Sequence, residues 1–354
     1  SGEEVARAAE QVLVRLVSLA AIAVVLFRIL QPIAFAGPSF WNWSLNPAWQ
    51  DDIKEQSQIV SGESDLPWLQ QWTNRPPTFA LYNILVWGLG LPLGLAALAG
   101  VALAAYQLAR WRRLEHLLPL AYVVATFTYH AFTFVKFMRY FLPIYPFLAL
   151  FAAYGLAWMW RVARADQMPA VLRRWRWIDR QRLLAAASVV TSVVVGGTLL
   201  YALAFSSIYS RTHTRVEATR WMLANLPEGS VLANEHWDDW LPIGDLDGRP
   251  AYGDNGMYRS VEMPNYEDDT PEKLDRLAEN LAQADYVILS SNRLYDSIPR
   301  LPMRYPMTIR YYQLLFGGQL GFERIKEFSS YPSLFGIQIP DQSAEEAFSV
   351  YDHP

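Results

Sequence analysis

The sequence predicts an α-helical polytopic membrane domain followed by an extracytoplasmic α/β domain. Three observations predict this: a high apolar content, long apolar segments in the first part of the chain, and alternating helix and strand patterns in the last part. Hydrophobic residues make up 52% of the 354 residues, which include 14 Trp. This apolar share is above that of ordinary soluble domains. Length and patterning place the membrane domain at residues 1–206 and the α/β domain at residues 207–354.

Five apolar segments are long enough to cross a bilayer, which takes about 20 residues. The predicted spans are about 12–34, 79–107, 117–135, 140–160 and 184–206. The first ten residues lack the basic leader and cleavage site of a signal peptide. They are expected to lead directly into the first membrane helix.

The charges of the loops predict the orientation, because cytoplasmic loops carry an excess of Lys and Arg. Three Arg follow the second span, and loop 161–182 carries seven. The loop at residues 38–78 has two basic and five acidic side chains and is expected to face outward. The chain is therefore predicted to be a multi-pass plasma membrane protein whose first residues are cytoplasmic and whose residues 207–354 are extracytoplasmic.

Net charge differs between the two domains. Residues 207–354 carry a net charge of −10, whereas residues 1–206 carry +6. An acidic domain is a poor partner for nucleic acid, so nucleic acid is not expected to bind. Within the basic loop, Arg and Trp alternate over residues 171–178. This stretch is either an ordinary cytoplasmic loop or a segment that lies on the anionic inner leaflet.

The last part of the chain alternates between helical and strand periodicity, which predicts a small, partly parallel sheet. Thr270 followed by Pro271 is a typical helix start. Helices are predicted at 215–226, 271–284 and 305–316, and strands at 230–234, 285–290, near 322–328 and near 347–351.

The outward loop contains the first candidate site. Asp51 and Asp52 are adjacent carboxylates in a Trp-rich segment. Such a pair can act as a base on a hydroxyl or hold a divalent cation, which makes a divalent cation a candidate cofactor. Alternatively, the two side chains are simply solvated or cap a short helix through Gln58. The chain has no Cys, which excludes thiolate chemistry and Cys-ligated zinc.

A second candidate site lies at the outer ends of the third and fourth spans. His130, Lys136 and Arg139 fall together there. Arg can hold a phosphate through two hydrogen bonds, and Lys adds a point charge. A phosphate carried on a lipid would lie at this depth. In the alternative interpretation, both cations extend to lipid headgroups.

A third group of candidates follows the predicted strands of the α/β domain. Ligands bind beyond the carboxyl ends of strands in open α/β sheets. The candidates for acceptor, sugar or metal binding at these ends are Glu235, His236, Asp238, Asp239 and Arg293. One His with several carboxylates is a weak metal signature. An ordinary hydrogen-bonded loop would carry the same residues.

Several phrases of the sequence resemble one family of membrane enzymes. Residues 139–150 (RYFLPIYPFLAL) look like the late membrane helix of polytopic lipid-carrier-dependent glycosyltransferases. That superfamily includes the protein O-mannosyltransferases and the aminoarabinose transferases. Residues 31–38, 45–49 and 71–72 of the outward loop resemble large bacterial members, as do residues 289–295 and 349–354 of the last domain.

The resemblance implies a GT-C fold and the transfer of a sugar from a polyprenyl-phosphate donor to an extracytoplasmic acceptor. It implies that Lys136, Arg139 and His130 contact the donor phosphate, and it does not identify a catalytic base. Family members have many more membrane helices than this chain. The chain is therefore expected to be the C-terminal part of such an enzyme, with N-terminal helices or other membrane subunits as partners.

Two other functions stay open. The chain would act as a non-catalytic membrane subunit if its acidic domain serves as a docking module in a larger complex. A transporter half would be expected to have paired charges within its spans and helices broken at mid-membrane. The sequence shows no such pairs and predicts continuous helices.

Overall fold

The computed structural model describes residues 2–165, 179–236, 239–246 and 248–340. Asp238, the Arg- and Trp-rich stretch at 171–178 and the predicted strand near 347–351 lie outside these ranges. By its contacts the chain divides into two units, Ser1–Ser64 and Asp65–Pro354. The predicted boundary at residue 206 falls instead at the end of a membrane helix within the second unit.

The first unit contains helix α1 (Gly2–Leu30) and helix α2 (Pro47–Ser61). Near the end of α1, the buried Arg28 donates to the carbonyl oxygens of Phe40 (3.1 Å) and Ser39 (2.5 Å), which ties the following loop to the helix. Helix α2 begins where the side chain of Asn46 accepts a hydrogen bond from the amide of Ala48. This is a normal N-cap, and it precedes a Pro at the first helical position.

The membrane part of the second unit consists of helices with short 3-10 turns between them. They are α3 (Pro77–Asn83), a π-helical turn (Ile84–Gly88), α4 (Leu91–Trp111), α5 (Leu117–Phe132), α6 (Tyr145–Arg164) and α7 (Arg180–Ser206). The 3-10 turn Met138–Ile144 precedes α6, and Pro67–Trp72 precedes α3.

Four helical segments in the described residues, those containing α1, α4, α6 and α7, are long and apolar enough to cross a membrane. Four of the five predicted spans thus contain a helix of sufficient length and apolar character, and the number of spans stays a prediction. Helix α5 has 16 residues, which corresponds to about 24 Å. This is shorter than the roughly 30 Å hydrocarbon core of a bilayer, so α5 does not qualify as a span by its own length.

The predicted continuous span at 79–107 is interrupted, and the prediction of an unbroken helix there is wrong. Gly90 has a φ of 75°, which ends the π-helical turn before α4 begins. The hydroxyl of Tyr201 on α7 donates to the carbonyl oxygen of Trp87 at 2.6 Å. A hydrogen-bond partner from a neighbouring helix makes such a break tolerable in an apolar environment. Because α4 alone is long enough to cross a membrane, this break precedes a candidate span and does not divide one at mid-membrane.

Small residues allow α4 and α6 to pack closely. Ala97, Gly100 and Ala104 are buried on α4, and Phe151 and Ala152 on α6 are buried with them. A Cβ atom added at Gly100 would lie 1.9 Å from the carbonyl oxygen of Phe151. Close approach through small side chains is the usual way in which membrane helices associate.

The last part of the second unit is the predicted α/β domain. Its helices are α8 (Thr214–Asn225), α9 (Pro271–Gln283) and α10 (Pro306–Phe316), close to the predicted bounds. Its strands are β1 (Val231–Glu235), β2 (Asp245–Leu246), β3 (Arg249–Pro250), β4 (Arg259–Met263), β5 (Tyr286–Ile288), β6 (Ser333–Leu334) and β7 (Ile337–Gln338). The predicted cap of α9 is confirmed, because Thr270 Oγ1 accepts from the amide of Lys273 at 3.2 Å.

Strands β4, β1 and β5 form a parallel sheet in that order, with β1 in the centre. Asn234 pairs with both Glu262 and Ile288, so the carboxyl ends of the three strands meet at one edge. The sequence patterns missed β4. The strand predicted near 322–328 is wrong: this described segment has no strand, and the chain instead forms the hairpin β6–β7 further on.

A buried ion pair joins α9 to α10. Lys273 Nζ lies 2.8 Å from an oxygen of Asp269 and 2.6 Å from Thr308 Oγ1, and it also donates to the carbonyl oxygen of Asn265. The other carboxylate oxygen of Asp269 accepts from the amide of Thr308 at 3.0 Å, in the first turn of α10. Asp269 thus neutralises Lys273 and also provides a hydrogen-bond acceptor for a free backbone amide at the start of α10.

Candidate functional site

The connection from α5 to α6 holds two of the three residues predicted to contact a donor phosphate, and the third is on the last turn of α5. Helix α5 ends at Phe132, and an extended segment leads to the 3-10 turn before α6. Lys136 lies in this segment and is only 5% exposed. Its Nζ donates to the carbonyl oxygens of Thr133 (2.6 Å) and Phe134 (3.3 Å).

Two aromatic rings close to Lys136 in the sequence, Phe137 and Tyr140, contact Arg139 and His130. The guanidinium of Arg139 lies 4.0 Å from the ring centre of Phe137 and 5.6 Å from that of Tyr140. The ring of His130 also packs against Tyr140, with 5.4 Å between the ring centres. Its buried Nδ1 has no hydrogen-bond partner among the described residues. The structure therefore brings His130, Lys136 and Arg139 together around one group of rings.

Arg75 and Trp72 complete this group, although the sequence did not predict that they lie beside His130, Lys136 and Arg139. Trp72 is buried, with its ring 5.0 Å from Phe137 and 6.0 Å from Phe79. The guanidinium of Arg75 lies over Phe79 at 4.9 Å. The signal that could have identified Arg75 is its position just before an apolar helix, the position that Arg139 has before α6. We call Arg75, Lys136 and Arg139 the cation cluster.

The electrostatics of Lys136 are unfavourable in the chain alone. Burial lowers the pKa of Lys136, and the charge of Arg75 lowers it further. Within the described part of the chain, the acceptors for its ammonium group are backbone carbonyls, which do not neutralise its charge. A buried cation without a counter-charge is costly. An anion bound at the cation cluster would offset this cost for Lys136.

The α/β domain is attached next to the cation cluster through the segment that precedes α3. Gln70 Nε2 donates to the hydroxyl of Tyr305 at 2.8 Å. Arg304 bridges Asp65 (2.8 Å) and Asp268 (2.7 Å). Since Trp72 follows two residues after Gln70, the segment Asp65–Trp72 connects the aromatic rings of the cluster to the domain.

The predicted site at the sheet edge has a different arrangement. Glu235 ends β1 and is 2% exposed. One of its oxygens accepts from the hydroxyl of Tyr312 and from Asn265 Nδ2. The negative charge of Glu235 adds to burial in raising the pKa of Tyr312 well above its usual range. Glu235 is thus part of the domain's interior, as the hydrogen-bonded-loop alternative expected.

The other candidates at this edge face separate partners. His236 Nε2 is 3.5 Å from a carboxylate oxygen of Glu262, and Asp239 forms an ion pair with Arg215. The carbonyl of Arg293 accepts from Ser297 Oγ at 2.5 Å, which orders the turn after β5. Asp238 lies outside the described residues. In the ranges that the structure describes, no three His, Cys, Asp or Glu side chains come close enough to hold a metal ion.

Asp51 and Asp52 lie on helix α2 of the first unit, and both are exposed. The short helix through Gln58 that the alternative interpretation expected is present as α2. Its N-cap is Asn46 and neither Asp51 nor Asp52. The two side chains are therefore solvated neighbours on a helix surface. Their role as a base or as cation ligands stays a prediction.

The chain matches no family model, no curated protein and no solved structure. The resemblance to lipid-carrier-dependent glycosyltransferases therefore rests on the sequence phrases alone.

Proposed function

We propose that the chain is a membrane glycosyltransferase, or the C-terminal part of one, that uses a sugar linked to polyprenyl phosphate. In this proposal the cation cluster holds the phosphate of the donor lipid. The sugar passes to an acceptor outside the cytoplasm, and the α/β domain helps to shape the acceptor site.

The buried cation Lys136 is the observation that carries the proposal. Ionisable groups at the membrane are expensive and mark functional sites by default. Lys136 has neutral hydrogen-bond acceptors and a second cation, Arg75, close enough to lower its pKa. A phosphate would supply an anion to Lys136. The rings of Trp72, Phe79 and Phe137 beside the cations would suit the apolar chain that carries the phosphate.

The orientation proposed from the loop charges agrees with the place of the cluster. Arg161 and Arg164 lie in the last turn of α6, whereas Lys136 and Arg139 lie before α6 begins. If the Arg-rich end is cytoplasmic, the cation cluster and the α/β domain are extracytoplasmic. That is the side on which lipid-linked sugars would be consumed in the proposed reaction.

The proposal is tested by the affinity of the full chain in lipid nanodiscs for undecaprenyl phosphate, with undecaprenol as the uncharged comparison. We expect the phosphate to bind and undecaprenol to bind far more weakly. Arg139→Ala should weaken phosphate binding about 10- to 100-fold, since a charge-assisted hydrogen bond contributes about 1.5–3 kcal/mol.

Arg110→Ala is the matched control, because it removes an exposed Arg from the last turn of α4, outside the cation cluster. It should leave the affinity unchanged. Equal binding of undecaprenol and its phosphate, or equal loss in both variants, would contradict the proposal.

A second candidate function, a non-catalytic membrane subunit, is favoured by the placement of the carboxylates. Glu235 is enclosed by Tyr312 and Asn265, and Asp239 pairs with Arg215. Neither is placed to act as a base. An assay for the release of undecaprenyl phosphate separates the enzyme from the non-catalytic subunit, with undecaprenyl-phosphate-linked mannose or aminoarabinose as the donor. An enzyme would bind the phosphate and also release it from a donor. A subunit would only bind it.

A further inference from the structure

The hairpin formed by β6 and β7 has an unusual turn. Ser333 pairs with Gln338 and Leu334 with Ile337, so a two-residue turn, Phe335–Gly336, connects the strands. Both turn residues have positive φ, 52° and 82°. Positive φ at both positions is the pattern of a type I′ turn.

The Phe335 side chain is poorly suited to this turn. Asn, Asp and Gly are favoured at such positions, and a bulky side chain at positive φ is a steric outlier. The ring of Phe335 is 89% exposed, and Ile337 beside it is 71% exposed. Phe335 therefore gains almost no packing from the described part of the chain in return for the backbone strain. A contact with a surface outside the chain would supply a compensating gain.

The hairpin stands at the end of a candidate membrane helix. The amide of Ser333 donates to Ser207 Oγ at 3.1 Å, and Ser207 directly follows α7. Arg211 also donates to the carbonyl oxygen of Tyr331, just before β6. Exposed Tyr209 follows the same helix, and Tyr is enriched where helices leave the bilayer. The hairpin is thus held at the level where α7 would meet the headgroups.

We propose that Phe335 and Ile337 insert into the lipid interface and anchor the α/β domain against the membrane. The occupant of this surface is lipid, because the base of the hairpin is hydrogen-bonded to the end of a helix that is apolar enough to span the bilayer. Apolar side chains that reach the boundary between headgroups and acyl chains bind membranes through their buried area. This role is independent of the proposed donor site.

The absence of Cys from the sequence makes a direct test simple. Phe335→Cys and, separately, Ile337→Cys would each introduce a single thiol for a nitroxide spin label in the full chain in nanodiscs. Collisions with oxygen, which concentrates in lipid, are then compared with collisions with a water-soluble nickel chelate. Glu279→Cys on the exposed face of α9 is the aqueous control, and Leu199→Cys on the exposed face of α7 is the lipid reference.

We expect labels at 335 and 337 to show an oxygen-to-nickel accessibility ratio several-fold above that at 279 and approaching that at 199. A ratio equal to that at 279 would overturn the proposal, because the tip would then lie in water. Low accessibility to both reagents would also overturn it, since the tip would then be covered by protein. Two label sites protect the test against a local effect of replacing Phe335 itself.

Discussion

The second unit contains two buried lysines whose surroundings differ in one respect. Lys273 is 2% exposed and lies against a carboxylate, Asp269, and a hydroxyl, Thr308. Lys136 is 5% exposed and lies against two carbonyl oxygens and within the field of Arg75. Burial lowers the pKa of both. At Lys273, however, the hydrogen bond and charge of Asp269 act against that shift, whereas at Lys136 the second charge adds to it.

The difference indicates what each lysine is for. A buried ion pair with its hydrogen bonds complete can hold two helices in register, and Lys273 and Asp269 do this for α9 and α10. A buried cation that lacks an anion lowers the stability of the chain by itself. Such a group is expected where a ligand supplies the missing charge, so the comparison supports a structural role for Lys273 and a binding role for Lys136.

The largest expected effect is on stability. Lys273→Met leaves Asp269 buried without its partner and should lower the free energy of unfolding by about 3–5 kcal/mol. Lys136→Met removes a cation that has no carboxylate partner in the described part of the chain, so it should leave the free energy of unfolding unchanged or raise it. Thermal and denaturant unfolding of both variants in lipid nanodiscs measures the difference. Equal destabilisation would end the distinction between the two lysines.

The next effect concerns ligand-induced stability. Undecaprenyl phosphate at 100 times its dissociation constant should stabilise the unchanged chain by about 2.7 kcal/mol, because it binds only the folded state. Lys136→Met should lose most of this gain. Lys273→Arg keeps a cation at the structural pair, and it should show the full ligand-induced gain even if its own stability is lower. The shift of the thermal unfolding midpoint with and without ligand is the measurement, and loss of the gain in both variants would contradict the account.

A smaller effect tests the structural pair through pH. Burial would raise the pKa of Asp269, but hydrogen bonds from Lys273 and Thr308 outweigh it and hold that pKa below its usual value. The stabilisation from Asp269 is therefore present above the usual pKa of Asp and is lost as pH falls through the lowered pKa.

Thr308→Val removes one of these hydrogen bonds and should cost about 2 kcal/mol at neutral pH. It should also move the acid loss of stability to higher pH. Unfolding curves across the acid range measure both changes. An acid limb that stays in place in Thr308→Val would show that the hydroxyl does not support the Asp269 carboxylate.

The smallest expected effect is on the affinity for undecaprenyl phosphate, and it tests an aromatic ring that a cation contacts. Phe137→Leu removes the face beneath Arg139, and a cation–π contact at an exposed site contributes about 0.5–1 kcal/mol. The affinity for undecaprenyl phosphate should fall about two- to fivefold. Phe328→Leu is a matched control, because Lys326 lies over that ring at 5.5 Å in the α/β domain. The same loss in both variants would mean that the change does not act through the cation cluster.

Local patterns predicted much of this fold. Hydropathy identified α1, α4, α6 and α7, and the Thr270–Pro271 pair identified the start of α9, because both signals depend on residues close in sequence. The break at Gly90 was not predictable in the same way. The carbonyl oxygen of Trp87, just before the break, accepts a hydrogen bond from the hydroxyl of Tyr201. Tyr201 lies on α7, more than 100 residues further along the chain.

In the candidate site, too, the residues close in sequence were predicted and the contacts between distant residues were not. Lys136, Arg139 and His130 were predicted as a group because they are neighbours in the sequence. Arg75 lies over Phe79, which packs on Trp72, and Trp72 packs on Phe137. The position of Arg75 before an apolar helix is visible in the sequence, but this chain of ring contacts is not. At Glu235 the sequence showed an acidic residue after a strand but could not show its burial. The hydroxyl of Tyr312, 77 residues further along the chain, encloses it.

Photo-crosslinking tests the central claim most directly, because it locates the lipid phosphate. A polyprenyl phosphate with a diazirine on its first isoprene unit would be activated on the full chain in nanodiscs, and the attached peptides identified by mass spectrometry. The account predicts crosslinks within residues 72–79 and 133–140 that excess undecaprenyl phosphate suppresses and excess undecaprenol does not. Crosslinks confined to the exposed faces of α1 or α7, or equal suppression by both competitors, would contradict a phosphate site at the cation cluster.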